Sequence, residues 1–417
     1  MKVIFDLDGT LYMTKKSILV AVKKTSARFG LSFRNMEDIM HIIGLPSEQF
    51  LHSVFGVQTT VEILEYFRKC EREAVKSDGV CYEGIKELLS TLRAEGDKLY
   101  ICSSGSLEYI KVVTETLGID HFFEKKFGSR TYQGKAEAIK EINEDGDSVI
   151  VVGDTETDYV ASKQVRSSFI FCRYGYGAEG TWDEIYFTAD SPADILPIVH
   201  RCRIYDTIKK NIQREQIRII GVNGVDTSGK TSFSKELSTY LQAVGIKNTV
   251  IHIDDFHNTR AVRSTGENDI DAYYYKAFNY DQLLSELLFP LKQFGHINKT
   301  VQCLDLDKDE YINEITYSIG KDTVVILEGV LLFREPLLSY FDLKIFIDIN
   351  FDEVLKRAQI RDIPKYGPEF LNRYINKYIP IQKKYLEQCK PKENCDILVD
   401  NNNYHMPFII KGEDKKG

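Results

Sequence analysis

No apolar run in this 417-residue chain approaches the roughly 18–20 residues that a membrane-crossing helix needs, so no membrane partner is expected. The eight cysteines are scattered, and none forms a Cys-x-x-Cys pair. That argues against a zinc site and for free thiols in a reducing compartment. No leader pattern precedes the first strand-like segment, so a cytoplasmic location is expected. A basic excess is missing too. Residues 1–200 carry 23 Lys and Arg against 31 Asp and Glu, and residues 201–417 carry 31 of each. Nucleic acid is therefore not an expected partner of either half.

What is present points to a globular protein of more than one domain. The 43% hydrophobic and 28% charged residues fit a soluble fold, and the length exceeds one ordinary core. Both halves alternate short apolar runs with longer helical patterns, as parallel α/β sheets do. Strands are expected at 2–5, 98–102 and 148–152, then from 217 and at 248–253, 323–327 and 344–349. A mostly helical stretch at about 14–79 reads as an inserted cap, with Ile18, Leu19, Ala21, Val22, Thr25 and Phe29 near helical spacing. The expected division is a domain over 1–200, a linker helix over 201–216 and a second domain over 217–417. Lys411–Gly417 reads as a disordered tail, and Trp182 with Tyr174–Gly177 as a loop closing the first core.

Two phosphate-handling motifs follow strands. The first is Asp6-Leu7-Asp8-Gly9-Thr10, after Val3-Ile4-Phe5. Asp6 is a candidate nucleophile, and Asp8 a candidate general acid and base. Ser103, ending the second strand, and Lys135, opening a helix, are candidate phosphate holders, with Lys140 and Lys163 as alternative cations. Gly153-Asp154-Thr155-Glu156-Thr157-Asp158 supplies hard oxygen ligands suited to Mg2+. These four motifs, in this order, resemble the haloacid dehalogenase-like phosphatases over about residues 1–200. The cap resembles those of phosphoglycolate phosphatase-like members. The resemblance implies that Asp6, Asp8 (through its carbonyl), Asp154 and Asp158 hold or support the metal. It also implies that Ser103 and Lys135 bind phosphate. Ser103-Ser104 stands where many members have Thr-Asn.

The second motif is Gly224-Val225-Asp226-Thr227-Ser228-Gly229-Lys230-Thr231, a P-loop between strand and helix. Backbone N–H groups around Gly224 and Gly229 would wrap nucleotide phosphates. Lys230 would reach the β- and γ-phosphates, and Thr231 would bind Mg2+. Downstream lie Asp254-Asp255-Phe256-His257, Glu328-Gly329 and Arg361-Asp362. With Tyr378-Ile379-Pro380 and Asp396–Asn401, these resemble uridine kinase-like P-loop kinases over about 215–402. The resemblance implies Asp254 as base, with Asp255 as its neighbour, Glu328 at the metal and Arg361 at the nucleotide. His257 and Arg357 are candidate substrate contacts. Where the nucleoside kinases carry an acidic stretch that grips ribose, this chain reads Tyr273-Tyr274-Tyr275-Lys276-Ala277-Phe278, with Asp271 nearby.

The expected fold is thus α/β, two doubly wound parallel-sheet domains: a haloacid dehalogenase-like Rossmannoid core with a helical cap, and a P-loop kinase. The expected activities are hydrolysis of a small phosphomonoester with Mg2+, and transfer from ATP or GTP to the hydroxyl of a nucleoside- or sugar-like molecule. The alternatives are a polynucleotide end-healing 3′-phosphatase/5′-kinase and a nucleotide-sensing regulatory protein. The charge balance weighs against the first, and the intact acids with Lys230 and Thr231 against the second.

Overall fold

The computed structural model describes all residues except 34, 36–38, 40–41, 130–133, 145–147, 178–186, 267 and 413–417. Trp182 and most of the expected tail lie outside the described residues. The chain divides into two compact units, Met1–Val199 and His200–Gly417.

The first unit is built on β1 (Lys2–Phe5), β2 (Lys98–Cys102), β3 (Phe123–Phe127), β4 (Val149–Gly153), β5 (Ser168–Cys172) and β6 (Thr188–Ala189). They form one parallel sheet in the order β3-β2-β1-β4-β5-β6. Strands β1 and β4 are buried throughout, which suits runs such as Val3-Ile4-Phe5 with no polar face. Phe5 lies opposite Ile101 on one side and Val152 on the other. That register carries Asp6, Ser103 and Asp154 to the same carboxyl edge, beside the point where the strand order reverses.

The cap contains helices Lys15–Phe29, Ser47–Phe55 and Val61–Asp78. Ile18, Ala21 and Val22 are buried there with Phe50, Leu64 and Phe67, and Leu19 and Phe29 pack against the cluster. Period-3.6 patterning makes this a core of its own.

In the second unit, β7 (Ile219–Gly224), β8 (Asn248–His252), β11 (Val324–Gly329), β12 (Leu343–Asp348), β13 (Ile397–Asp400) and β14 (Phe408–Lys411) form a sheet ordered β14-β13-β12-β7-β11-β8. It is parallel except for the antiparallel edge strand β14. Glu328 lies opposite both Val222 and His252, so the P-loop, Glu328 and the 252–257 turn share one edge. Strands β9 (Ile297–Asp305) and β10 (Glu310–Ile319) make a separate antiparallel hairpin that the sequence pattern did not suggest. One helix, Ile195–Glu215, covers the expected linker. Its Tyr205 packs on Phe233 and Tyr240 of the P-loop helix, so it is part of the second core rather than a bare connector.

Candidate active sites

In the first unit the chain turns at Gly9, whose φ of +85° suits a residue without Cβ. A Cβ there would also meet Asp154 Oδ2 at 2.2 Å. This tight approach lets β1 and β4 deliver their acids to one pocket. Lys135, at the start of helix Lys135–Ile142, places Nζ 2.6 Å from Asp6 Oδ1 and 2.6 Å from Asp158 Oδ1. The alternative lysines point elsewhere: Lys140 pairs with Glu137, and Lys163 lies over the Tyr159 ring.

Thr155 fixes the other oxygen of Asp158 in a capping box, with Oγ1 donating at 2.6 Å. Asp154 accepts from Thr10 Oγ1 at 3.3 Å and from the Tyr176 N–H at 2.7 Å. The loop Tyr174–Gly177 thus closes over this acid. A Cβ at Gly177 would lie 1.7 Å from the Asp154 carbonyl oxygen.

Carboxylate oxygens of Asp6, Asp154 and Asp158 lie within 4.8 Å of one another, all buried. Hard oxygen donors at this spacing suit a small divalent cation. Burial raises Asp6 well above the usual carboxylate range against the pull of Lys135, and neighbouring acids add to the rise. Burial, then Asp158, pushes Asp154 up to about 7. Burial works against the Lys135 charge, but Asp158 and Asp6 more than compensate and hold it firmly protonated.

Asp8 is placed differently. Its Oδ1 accepts from Thr14 Oγ1 and from Tyr109 OH, each at 2.7 Å, on the cap side of the pocket. Burial raises its pKa more than these two bonds lower it, which favours the protonated form an acid catalyst needs. Ser103 is buried, with Oγ accepting from the Gly105 N–H at 3.0 Å. Thr14, Tyr109 and Tyr176 are site residues that sequence reasoning missed. Nothing local marks them, because only the tertiary fold carries them to Asp8 and Asp154.

The P-loop of the second unit follows β7. Gly229 has φ +90° and caps the helix Lys230–Ala243. Lys230 Nζ rests on the Val225 carbonyl oxygen at 2.8 Å, within its own loop. Thr231 Oγ1 donates to Glu328 Oε1 at 3.0 Å, and that oxygen also meets His252 Nδ1 at 2.6 Å. Burial pushes Glu328 up, but the His252 bond, Lys230 and Thr231 together hold it below the usual range. A cavity of about 710 Å3 opens beside Lys230 and Thr231, lined also by Arg357, Arg361 and Tyr404.

Asp254 is exposed, its side chain 68% accessible. Asp255 is partly buried and accepts from Tyr317 OH on the β9–β10 hairpin at 3.2 Å. Asp226, inside the P-loop, accepts from Gln382 Nε2 at 3.0 Å, and burial raises its pKa against the nearby Lys230.

Two side chains expected at the acceptor are engaged by protein instead. His257 is buried, bonds the Asp254 carbonyl through Nδ1 at 2.9 Å and packs on Phe278. Arg357 lies on the P-loop side of the fold, bonded to Glu353 and to the carbonyls of Thr227 and Asn401. Arg361 forks onto Asp362 at 2.8 and 3.0 Å and reaches Tyr374 OH at 2.9 Å. Motif position fixed where these residues stand on their helix or loop, but not which partners they take.

Residues 3–172 match the family of haloacid dehalogenase-like hydrolases, and residues 219–401 match the phosphoribulokinase/uridine kinase family. The first half is 26% identical over 204 residues to a phosphoglycolate phosphatase of Aquifex aeolicus, covering 47% of this chain and 95% of that one. The second is 28% identical over 194 residues to a uridine kinase of Brevibacillus brevis, covering 45% and 86%. Among solved structures, a haloacid dehalogenase-like hydrolase of Streptococcus pneumoniae is 21% identical. That alignment covers 48% of this chain and 97% of that one, with a TM-score of 0.42.

Proposed function

We propose that this chain, a haloacid dehalogenase-like hydrolase domain joined to a phosphoribulokinase/uridine kinase-family domain, runs two separate phosphoryl reactions. The first is Mg2+-dependent hydrolysis of a small phosphomonoester. The second is transfer of the γ-phosphate of ATP or GTP to a hydroxyl of a nucleoside- or sugar-like metabolite. The observation that supports this reading is that each unit gathers its own set of charged and polar side chains: Asp6, Lys135, Asp154 and Asp158 in one, Thr231 and Glu328 beside Lys230 in the other.

In the hydrolase, an Asp6 oxygen attacks phosphorus while Asp8 gives its proton to the departing ester oxygen. Asp8 then takes a proton from water as that water attacks the aspartyl-phosphate and releases Asp6. Lys135 and Ser103 hold the phosphoryl oxygens. Asp6, the Asp8 carbonyl and Asp154 would hold Mg2+, with Asp158 supporting, and the ion would supply positive charge against the developing negative charge.

In the kinase, Lys230 exchanges the Val225 carbonyl for nucleotide phosphates, and Arg361 swings to the same anion. Thr231 and Glu328 would hold the second Mg2+. Asp254 accepts the proton of the acceptor hydroxyl. His257 steadies the Asp254 turn, and Arg357 braces the P-loop.

The test is a metabolite-library screen of the intact protein, scored separately for released phosphate and consumed ATP. Mg2+-dependent hits are expected in both readings, and 5′-hydroxyl oligonucleotides should not be labelled. Efficient oligonucleotide labelling at moderate salt would replace this reading with end-healing chemistry.

A further inference from the structure

The cap helix Val61–Asp78 buries Leu64, Phe67, Glu71, Ala74 and Val75 on one face. Positions 64, 67, 71, 74 and 75 form an apolar stripe, and 71 is the place in it where helical spacing calls for a hydrophobic side chain. The residue there is an acid, 8% exposed. No hydrogen bond or ion pair from a described residue reaches its carboxyl group. Arg68 and Arg72 act on it only at longer range. A carboxyl group bonded to no described residue can take its partner from the space it borders.

Glu71 lines a cavity of about 40 Å3 together with Asp8, Thr14, Ser106 and Tyr109. Thr14 and Tyr109 are the two residues that bond Asp8 Oδ1. Glu71 therefore faces the space on the cap side of the acid that protonates the departing oxygen. A water needs roughly 10–15 Å3 of such space, so the cavity holds about three groups of that size. It fits a leaving group of a few heavy atoms.

We infer that Glu71 is a specificity-determining residue of the hydrolase, which hydrogen-bonds a hydroxyl on the leaving group and so selects phosphomonoesters of short, hydroxylated alcohols. The inference rests on the hydrolase reading above. The carboxyl group can donate its O–H to a substrate hydroxyl oxygen or accept from that hydroxyl at its carbonyl oxygen, in a pocket from which water is displaced. An alkyl ester of the same length leaves Glu71 without a partner, which is the situation that gives sites their strongest discrimination.

The test compares glycerol 1-phosphate with propyl phosphate, in the full-length protein with Mg2+. The wild type should favour the glycerol ester by about tenfold or more in kcat/KM. Glu71→Leu should bring the two esters within about threefold of each other while propyl phosphate turnover persists. Glu71→Gln keeps a hydrogen-bonding amide and should retain most of the preference. A wild type that turns over phosphomonoesters without preferring the glycerol ester overturns the inference. So does a Glu71→Leu variant with an unchanged ratio, or with equal losses on both esters, which would mark a structural role. A wild type that hydrolyses no phosphomonoester removes the hydrolase reading itself, and this inference with it.

Discussion

Among the described residues, Lys135 is the one cation bonded to both Asp6 and Asp158. Removing one partner of a buried ion pair leaves the other charge uncompensated, at a cost of about 3–5 kcal/mol. Lys135→Met leaves two buried acids without their cation and should abolish phosphate release and lower the melting temperature, whereas Asp6→Asn leaves Lys135 paired with Asp158 and should abolish release with little loss of stability. Losses of at least about 10²–10³-fold are expected for Asp6→Asn, the size seen for lesser transition-state contacts. Turnover retained near the wild-type rate in Asp6→Asn would mean that another group attacks phosphorus.

Glu71 offers a test by pH. Burial, then Asp8, raises it from 4.5 to about 8. The folded chain holds this proton more tightly than the unfolded chain does. Its stabilising contribution is complete below about pH 4.5 and is lost as pH rises to about 8. Glu71→Gln removes that dependence. The melting temperature of the variant relative to wild type should rise steadily between pH 5 and 8, by an amount worth a few kcal/mol at the upper end. A difference that stays flat across that range would show that Glu71 is not buried as an acid. The placement of Asp6, Asp8, Lys135, Asp154 and Asp158 around one pocket was legible because each stands at a fixed offset from a strand end or helix start. The placement of Glu71 and Tyr109 beside Asp8 was not, because it comes from where distant helices meet.

Among elements, the fully buried strands were readable as apolar runs, and their carboxyl ends located both sites. Strand β3 reads Phe-Glu-Lys-Lys-Phe, with only its ends buried, and so gave no such run. The β9–β10 hairpin has mixed exposure and was missed for the same reason. Its placement has a functional consequence. Tyr311 OH donates to the His257 carbonyl at 3.1 Å, and Tyr317 OH donates to Asp255. The hairpin thus holds the turn that carries Asp254. Tyr317→Phe should lower kinase kcat several-fold while the KM for ATP stays near wild type, as expected when only the base is misplaced. A change confined to the ATP KM would show that the hairpin serves the nucleotide instead. The loop at Gly177 is equally tied to chemistry. Gly177→Ala should reduce phosphate release sharply, because its Cβ collides with the Asp154 backbone.

At the scale of the whole molecule, each unit carries its own charged set, and the acids of the first all precede residue 160. Asp6→Asn should leave ATP consumption unchanged, and Lys230→Ala should leave phosphate release unchanged. Both are measured on the intact protein. Loss of both activities from either single change would show that the sites depend on one another.

The helix Ile195–Glu215 runs through the point where one unit gives way to the next. Beyond that point its Arg201 and Tyr205 both bind Glu236, at 2.7 and 2.8 Å. Proteases cut exposed loop tips far more readily than packed helices, so limited digestion should spare this junction. A gene fragment for the kinase half that starts at the P-loop strand would discard Arg201 and Tyr205 and uncover Phe233 and Tyr240. The second unit therefore includes this helix from His200 onward, and any recombination that exchanges the kinase half must carry that segment along.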